Sequence, residues 1–199
     1  FDHLRDNQIP FYLSDWRAPE EINISTVKNS IKEKEIPFAY LYLAAMDATL
    51  HAKGTKAKAV DEKISWYEKQ LRDILKIAKK KYNEVHIYIF SDHGMTDITE
   101  SFDLIAKEEK LNLQMGKDYA VVYDSTVARF WFLSDKARKK ITELLKEQQQ
   151  GEILSKEKLK KFGCYFSDHK YGELFFLLNP GVLLCPSFMG EKPLAGMHG

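Results

Sequence analysis

Between Lys56 and Tyr82 the apolar residues Val60, Ile64, Tyr67, Leu71, Ile74, Leu75 and Ala78 recur at helical spacing, with charged residues filling most positions between them. One apolar stripe on an otherwise polar segment predicts a long amphipathic helix. The flanking segments are patterned differently. Phe38 to Met46 and Val85 to Phe90 are nearly continuous apolar runs, which suit strands buried on both faces of a parallel sheet. Strand, helix, strand in that order predicts a βαβ unit with a right-handed crossover. Upstream, Ile22 to Glu35 reads as a helix opened by Asn23 or Ser25 and stopped by Ile36-Pro37.

After Met95 the alternation of helix and buried strand is lost. Phe102 to Leu111 reads as helix, and Tyr119 to Tyr123 and Ala128 to Leu133 read as paired strands around Asp124-Ser125-Thr126. Asp135 to Gln149 returns to helix, ending at Gln148-Gln149-Gln150 before Gly151, and Ser155 to Phe162 adds a short one. Leu174 to Leu178 and Val182 to Leu184 flank Asn179-Pro180-Gly181, whose residues suit a turn. This second section is α+β in character.

Composition excludes several function classes. Thirty basic residues against 29 acidic ones leave a net charge of +1, so no polycationic face for nucleic acid or anionic lipid is implied. Runs such as Lys79-Lys80-Lys81 and Arg138-Lys139-Lys140 read as solvated helix faces. No apolar stretch reaches membrane-spanning length, and no secretory leader is visible. Cys164 and Cys185 lack metal-ligand spacing and read as buried thiols; so low a count is compatible with a reducing, cytoplasmic setting.

The chemistry concentrates in three short motifs, Asp47-Ala48-Thr49-Leu50-His51-Ala52-Lys53-Gly54, Ser91-Asp92-His93-Gly94-Met95 and Met197-His198-Gly199. Taken singly, each has a bland reading. Asp47 and His51 suit a helix start with a solvated partner, and Asp92-His93-Gly94 suits a polar turn. Taken together, they put carboxylates and imidazoles behind two apolar runs at the carboxyl edge of one sheet, where open α/β sheets bind ligands. Asp47, His51, Asp92, His93 and His198 are therefore candidate metal ligands, of the donor types that hold zinc or manganese while leaving positions open.

With these motifs in this order, the chain resembles the alkaline phosphatase superfamily and, within it, the type I phosphodiesterase and nucleotide pyrophosphatase branch. That branch carries Asp-x-x-x-His-x-x-Gly, then Asp-His-Gly-Met, then a late His-Gly, and Met95 stands where the related phosphoglycerate mutases usually have Asn. The likeness extends through Asp124 to Trp131 and Pro186 to Gly190. It implies a three-layer α/β/α core with a small α+β cap insertion: core over residues 1–98, cap over 99–185, and a return to the core over 186–199. Two divalent ions are implied, zinc before manganese. Asp47, His51 and His198 would hold one ion, and Asp92 with His93 would be two ligands of the other. The implied activity is hydrolysis of phosphodiester, pyrophosphate or phosphate monoester bonds in a small phosphate ester or nucleotide. Arg129 and Trp131 could serve the cap's substrate face, with a core role for Trp131 as the simpler reading.

One departure from the pattern matters. Family members begin with a strand whose Asp binds the second metal, followed by a Thr or Ser nucleophile at a helix start. Ser14-Asp15 follows the strand-like Ile9 to Leu13 but lacks the Asp before it and the helix after it, and Ser25-Thr26 is explained by helix capping. The expectation is a C-terminal portion of a longer protein, incomplete in its core and inactive by itself, with the nucleophile upstream. Two other readings stay open: a non-catalytic metal-binding or assembly domain on this fold, and a sulfatase or phosphonate hydrolase relative.

Overall fold

The computed structural model describes residues 1–199. They divide into two units, Phe1–Asp92 and His93–Gly199.

In the first unit a short helix α1 (Asp2–Asp6) leads into β1 (Phe11–Leu13), α2 (Glu20–Glu33), β2 (Phe38–Tyr40), α3 (Ala45–Lys53) and α4 (Lys58–Ala78). β1 and β2 pair in parallel with Phe11 opposite Phe38, so the βαβ unit of this chain is built on α2. The core forms where Ile24, Val27 and Ile31 of α2 meet Ile74 and Ala78 of α4, with Ile36 between them. Lys28 ties the two helices further by donating to Gln70 Oε1 at 2.7 Å. α2 begins ahead of the expected Asn23 or Ser25. Pro19 precedes it, and Glu20 and Glu21 put negative charge in the first turn, where the helix dipole favours it. Asn23 is used elsewhere: its side chain accepts from the Asp15 amide at 3.0 Å and donates to the Asp15 carbonyl at 2.7 Å.

The two expected central strands are corrected. The run from Phe38 is a strand only to Tyr40, and Ala45 and Met46 already belong to α3. Val85 to Phe90 forms no ladder, and Tyr88, Ile89 and Phe90 are 83%, 77% and 73% exposed. A strand exists through its hydrogen-bonded neighbours, and β1, only three residues long, pairs with β2 alone. Apolar composition announces the capacity to be a central strand without supplying the partner. Of the α4 stripe, Val60, Ile74 and Ala78 are buried as expected, whereas Ile64 is exposed.

In the second unit β3 (Thr96–Asp97) and β4 (Glu100–Phe102) precede α5 (Ile105–Glu108), which tightens into a 3-10 turn, Glu109–Leu111. Phe102 is thus a strand residue instead of the expected helix start. Next come β5 (Tyr119–Tyr123), β6 (Val127–Phe132), α6 (Asp135–Lys146), β7 (Gly151–Ile153), α7 (Lys156–Lys161), β8 (Leu174–Leu178), β9 (Val182–Leu184) and β10 (Gly196–Met197). The order β5-β6-β8-β7 makes an antiparallel four-stranded sheet, covered by Ala137, Ile141 and Leu145 of α6. Ser134 caps α6 by accepting the Ala137 amide, and Ser155 caps α7 through Lys158. β9 leaves that sheet to pair in parallel with β4, and β10 pairs antiparallel with β3. Both cysteines are free; Cys164 is exposed, against expectation, and Cys185 is half-buried. No helix is long and apolar enough to cross a membrane.

Glu108, at the end of α5, is 3% exposed and accepts a hydrogen bond from the Tyr123 hydroxyl. Burial pushes its carboxyl up from 4.5 to about 7, against the lowering effect of hydrogen bonds from Tyr123 and Tyr119. The folded state thus holds the proton more tightly than the unfolded chain. The neutral form's advantage is present at low pH, and stability falls as pH rises through the window between the two values. At about 1.4 kcal/mol per unit the total is roughly 3 kcal/mol. Glu108→Gln should therefore stabilise the second unit at pH 8 and leave it nearly unchanged at pH 4.5, as read from urea midpoints. An equal effect at both pH values would refute this.

Candidate functional site

The residues Leu41 to Ala44 carry the chain from β2 to α3, guided by a hydrogen bond from the Tyr42 amide to Ser14 Oγ at 2.8 Å. Asp47 lies in the first turn of α3 and His51 one turn later. That spacing puts both side chains on one helix face. His51 Nε2 and Asp47 Oδ1 are 3.4 Å apart, with side chains 18% and 42% exposed. Gly54 ends the helix at φ 78°, ψ 172°, a backbone shape suited to glycine, and its amide donates to the Leu50 carbonyl. The motif Asp-x-x-x-His-x-x-Gly is thus a short helix with two donor groups and its stop signal. Its amino end is held by Glu20 of α2, which in turn accepts a hydrogen bond from Tyr67 of α4, two residues that no motif singled out. Asp92 is exposed and closes the first unit, at a bend and not at the tip of a formed strand.

In the second unit the sequence separation between His93 and His198 is closed by one small ladder. β10 runs antiparallel to β3, with Met197 opposite Thr96. One step past that pair, His198 comes alongside the segment that begins at His93. The two rings stack with centroids 3.6 Å apart and planes 19° from parallel. Their ring nitrogens lie within 4.8 Å of one another. Met197 is 4% exposed and anchors the strand, so His198 is held although it stands next to the last residue. Trp131 donates its indole N–H to the His169 carbonyl at 2.8 Å, a structural contact on β6.

Each unit therefore presents one pair of metal-type donors, a carboxylate with an imidazole in the first and two imidazoles in the second. Residues 6–199 match the family model for type I phosphodiesterase / nucleotide pyrophosphatase. The chain belongs to this family. Its structure resembles that of murine ectonucleotide pyrophosphatase / phosphodiesterase 5, with TM-score 0.71 and 19% identity, over 93% of this chain and 49% of that one. The human counterpart gives TM-score 0.73 and 16% identity, over 98% of this chain and 57% of that one. An inactive variant of the murine protein in complex with AMP gives TM-score 0.70 at 19% identity, with the same coverage as its parent, 93% and 49%. The chain spans about half the length of these solved structures. Comparison with curated protein sequences gave no match. The structural likenesses carry the fold: an α/β fold of the alkaline phosphatase type, of which this family member covers a part.

Proposed function

We propose that the protein to which this chain belongs is a metal-dependent hydrolase of phosphodiester or pyrophosphate bonds, with phosphate monoesters as a further substrate class. The observation that carries this reading is the pairing of ligand-type side chains, Asp47 with His51 and His93 with His198, within a chain that matches the family over residues 6–199. The donor set fits a divalent ion: nitrogen and carboxylate oxygen suit zinc first and manganese second. On the family pattern Asp47, His51 and His198 hold one ion, and Asp92 with His93 supply two ligands of the other. When bound, such ions stabilise the charge that develops on a transferring phosphoryl group and activate the attacking oxygen.

The chain's own residues hold and orient in this reading and do not attack. Ser14 is 8% exposed and its oxygen receives the Tyr42 amide, while Ser25 donates to the Ile22 carbonyl at 2.9 Å. Both hydroxyls serve the backbone, which fits the family expectation that the nucleophile lies outside these 199 residues. A nucleotide is the favoured substrate class, and the α+β section over residues 99–185 acts as the cap that selects it.

Zinc titration of the chain tests the ligand assignment. His51→Ala and His198→Ala should each weaken the three-ligand site by more than about a hundredfold, beyond the 10–100-fold range known for residues that merely support ligands. His93→Ala should spare that site. An equal loss from His93→Ala alone would contradict the division of ligands.

A further inference from the structure

The amino end of α3 poses a problem that its own sequence does not solve. The residue before the helix is Ala44, which has no side chain able to cap. Helix amides at this end have no partner within the helix, and alanine is among the poorest capping residues. A partner comes from another helix. Glu20, the first residue of α2, is 8% exposed, and its Oε1 accepts the Ala45 amide at 2.8 Å. The same oxygen accepts the Tyr67 hydroxyl of α4 at 2.7 Å. Lys63, also on α4, sets its ammonium 2.6 Å from Glu20 Oε2 and within 4.4 Å of the Trp66 ring centroid.

One buried carboxylate thus joins three helices at the start of the element that carries Asp47 and His51. Its position is energetically consistent. A negative charge at a helix amino end is favoured by the dipole, and Lys63 offsets the cost of burying it. Burial, with the hydrogen bond to Glu20 and its charge, pushes the Tyr67 hydroxyl up, so Tyr67 stays a donor to Glu20 across the physiological range. Asp47 stands two residues after the amide so held.

We propose that Glu20, acting with Tyr67, is a positioning residue for the Asp47–His51 ligand pair, fixing the start and orientation of α3. The proposal rests on the metal-ligand reading of Asp47 and His51, and its test separates the two. Two readouts on the full chain are compared: zinc affinity, and hydrogen exchange of the Ala45 amide without metal.

Glu20→Ala should speed exchange of the Ala45 amide about tenfold and weaken zinc binding about tenfold, the lower end expected for residues that orient ligands. Glu20→Gln keeps a carbonyl acceptor for Ala45 and should restore most of both. Tyr67→Phe removes one of the two hydrogen-bond donors to Glu20 Oε1 and should speed exchange at Ala45 and weaken zinc binding about threefold each, a smaller share of the same positioning effect. Ile31→Val, a core change away from this cluster, should alter neither readout and thereby separates positioning from general loosening. Faster exchange with unchanged zinc affinity in both Glu20→Ala and Tyr67→Phe, while His51→Ala weakens binding more than about a hundredfold, would overturn the positioning role and leave the ligand reading intact. Zinc affinity insensitive to His51→Ala would overturn the ligand reading itself, and the proposal with it.

Discussion

Asp92→Asn should lower hydrolysis of bis-p-nitrophenyl phosphate by the intact protein about a thousandfold. Asparagine preserves size but removes the negative charge that the proposed ligand role of Asp92 requires. A metal ion contributes several kcal/mol of charge stabilisation to phosphoryl transfer, and each 1.36 kcal/mol corresponds to about tenfold in rate. Losing the one anionic ligand of the two proposed for this ion forfeits much of that. The substitution should leave folding intact, because Asp92 is exposed and lies in no helix or strand. Steady-state rates with matching circular dichroism spectra check this; a loss smaller than tenfold would remove Asp92 from the ligand set.

The largest effect on stability should come from Phe176→Ala. Phe176 has no exposed surface, stands opposite Ala128 on β6 and Ile153 on β7, and has its ring 6.4 Å from that of Phe102. Gly151 is part of the same fit, since a Cβ there would fall 2.9 Å from the Phe176 ring and 2.4 Å from the Leu177 carbonyl oxygen. Truncating such a side chain removes its transfer energy and leaves a cavity that a two-sided sheet position cannot collapse. The cost should be about 3–5 kcal/mol. Ile89→Ala, at a position 77% exposed, should change stability by less than about 0.5 kcal/mol. Urea denaturation of both variants measures the contrast, and similar losses would mean that the 85–90 segment is packed.

The sequence made the second unit more legible than the first. The strand pair around Asp124-Ser125-Thr126, α6 with its alternating buried and charged positions, and the Ser155 cap all follow local rules that need no distant partner. The long helix α4 was legible for the same reason. The runs at Phe38 and Val85 misled because strand formation is a property of pairs, and composition reports only one member. Among candidate site residues, the Asp47–His51 spacing was readable as soon as a helix was placed there. The approach of His198 to His93 was not, because it depends on the two-residue ladder between β3 and β10, too short to leave a periodic signal. Glu20 was unreadable for a different reason. Its role arises from burial beside Tyr67 and Lys63, and a glutamate in the first turn of a helix is ordinarily a solvated dipole partner.

The measurement closest to the central claim is diester turnover by the intact protein before chelation, after chelation, and after zinc is restored. The expected result is loss of bis-p-nitrophenyl phosphate hydrolysis on chelation and recovery on adding zinc, with no turnover by the 199-residue chain alone under any of the three conditions. Turnover that survives chelation would contradict the metal-dependent reading. Robust zinc-dependent turnover by the chain alone would contradict the assignment of the nucleophile to residues outside it, and an intact protein inert under all three conditions would contradict hydrolase function altogether.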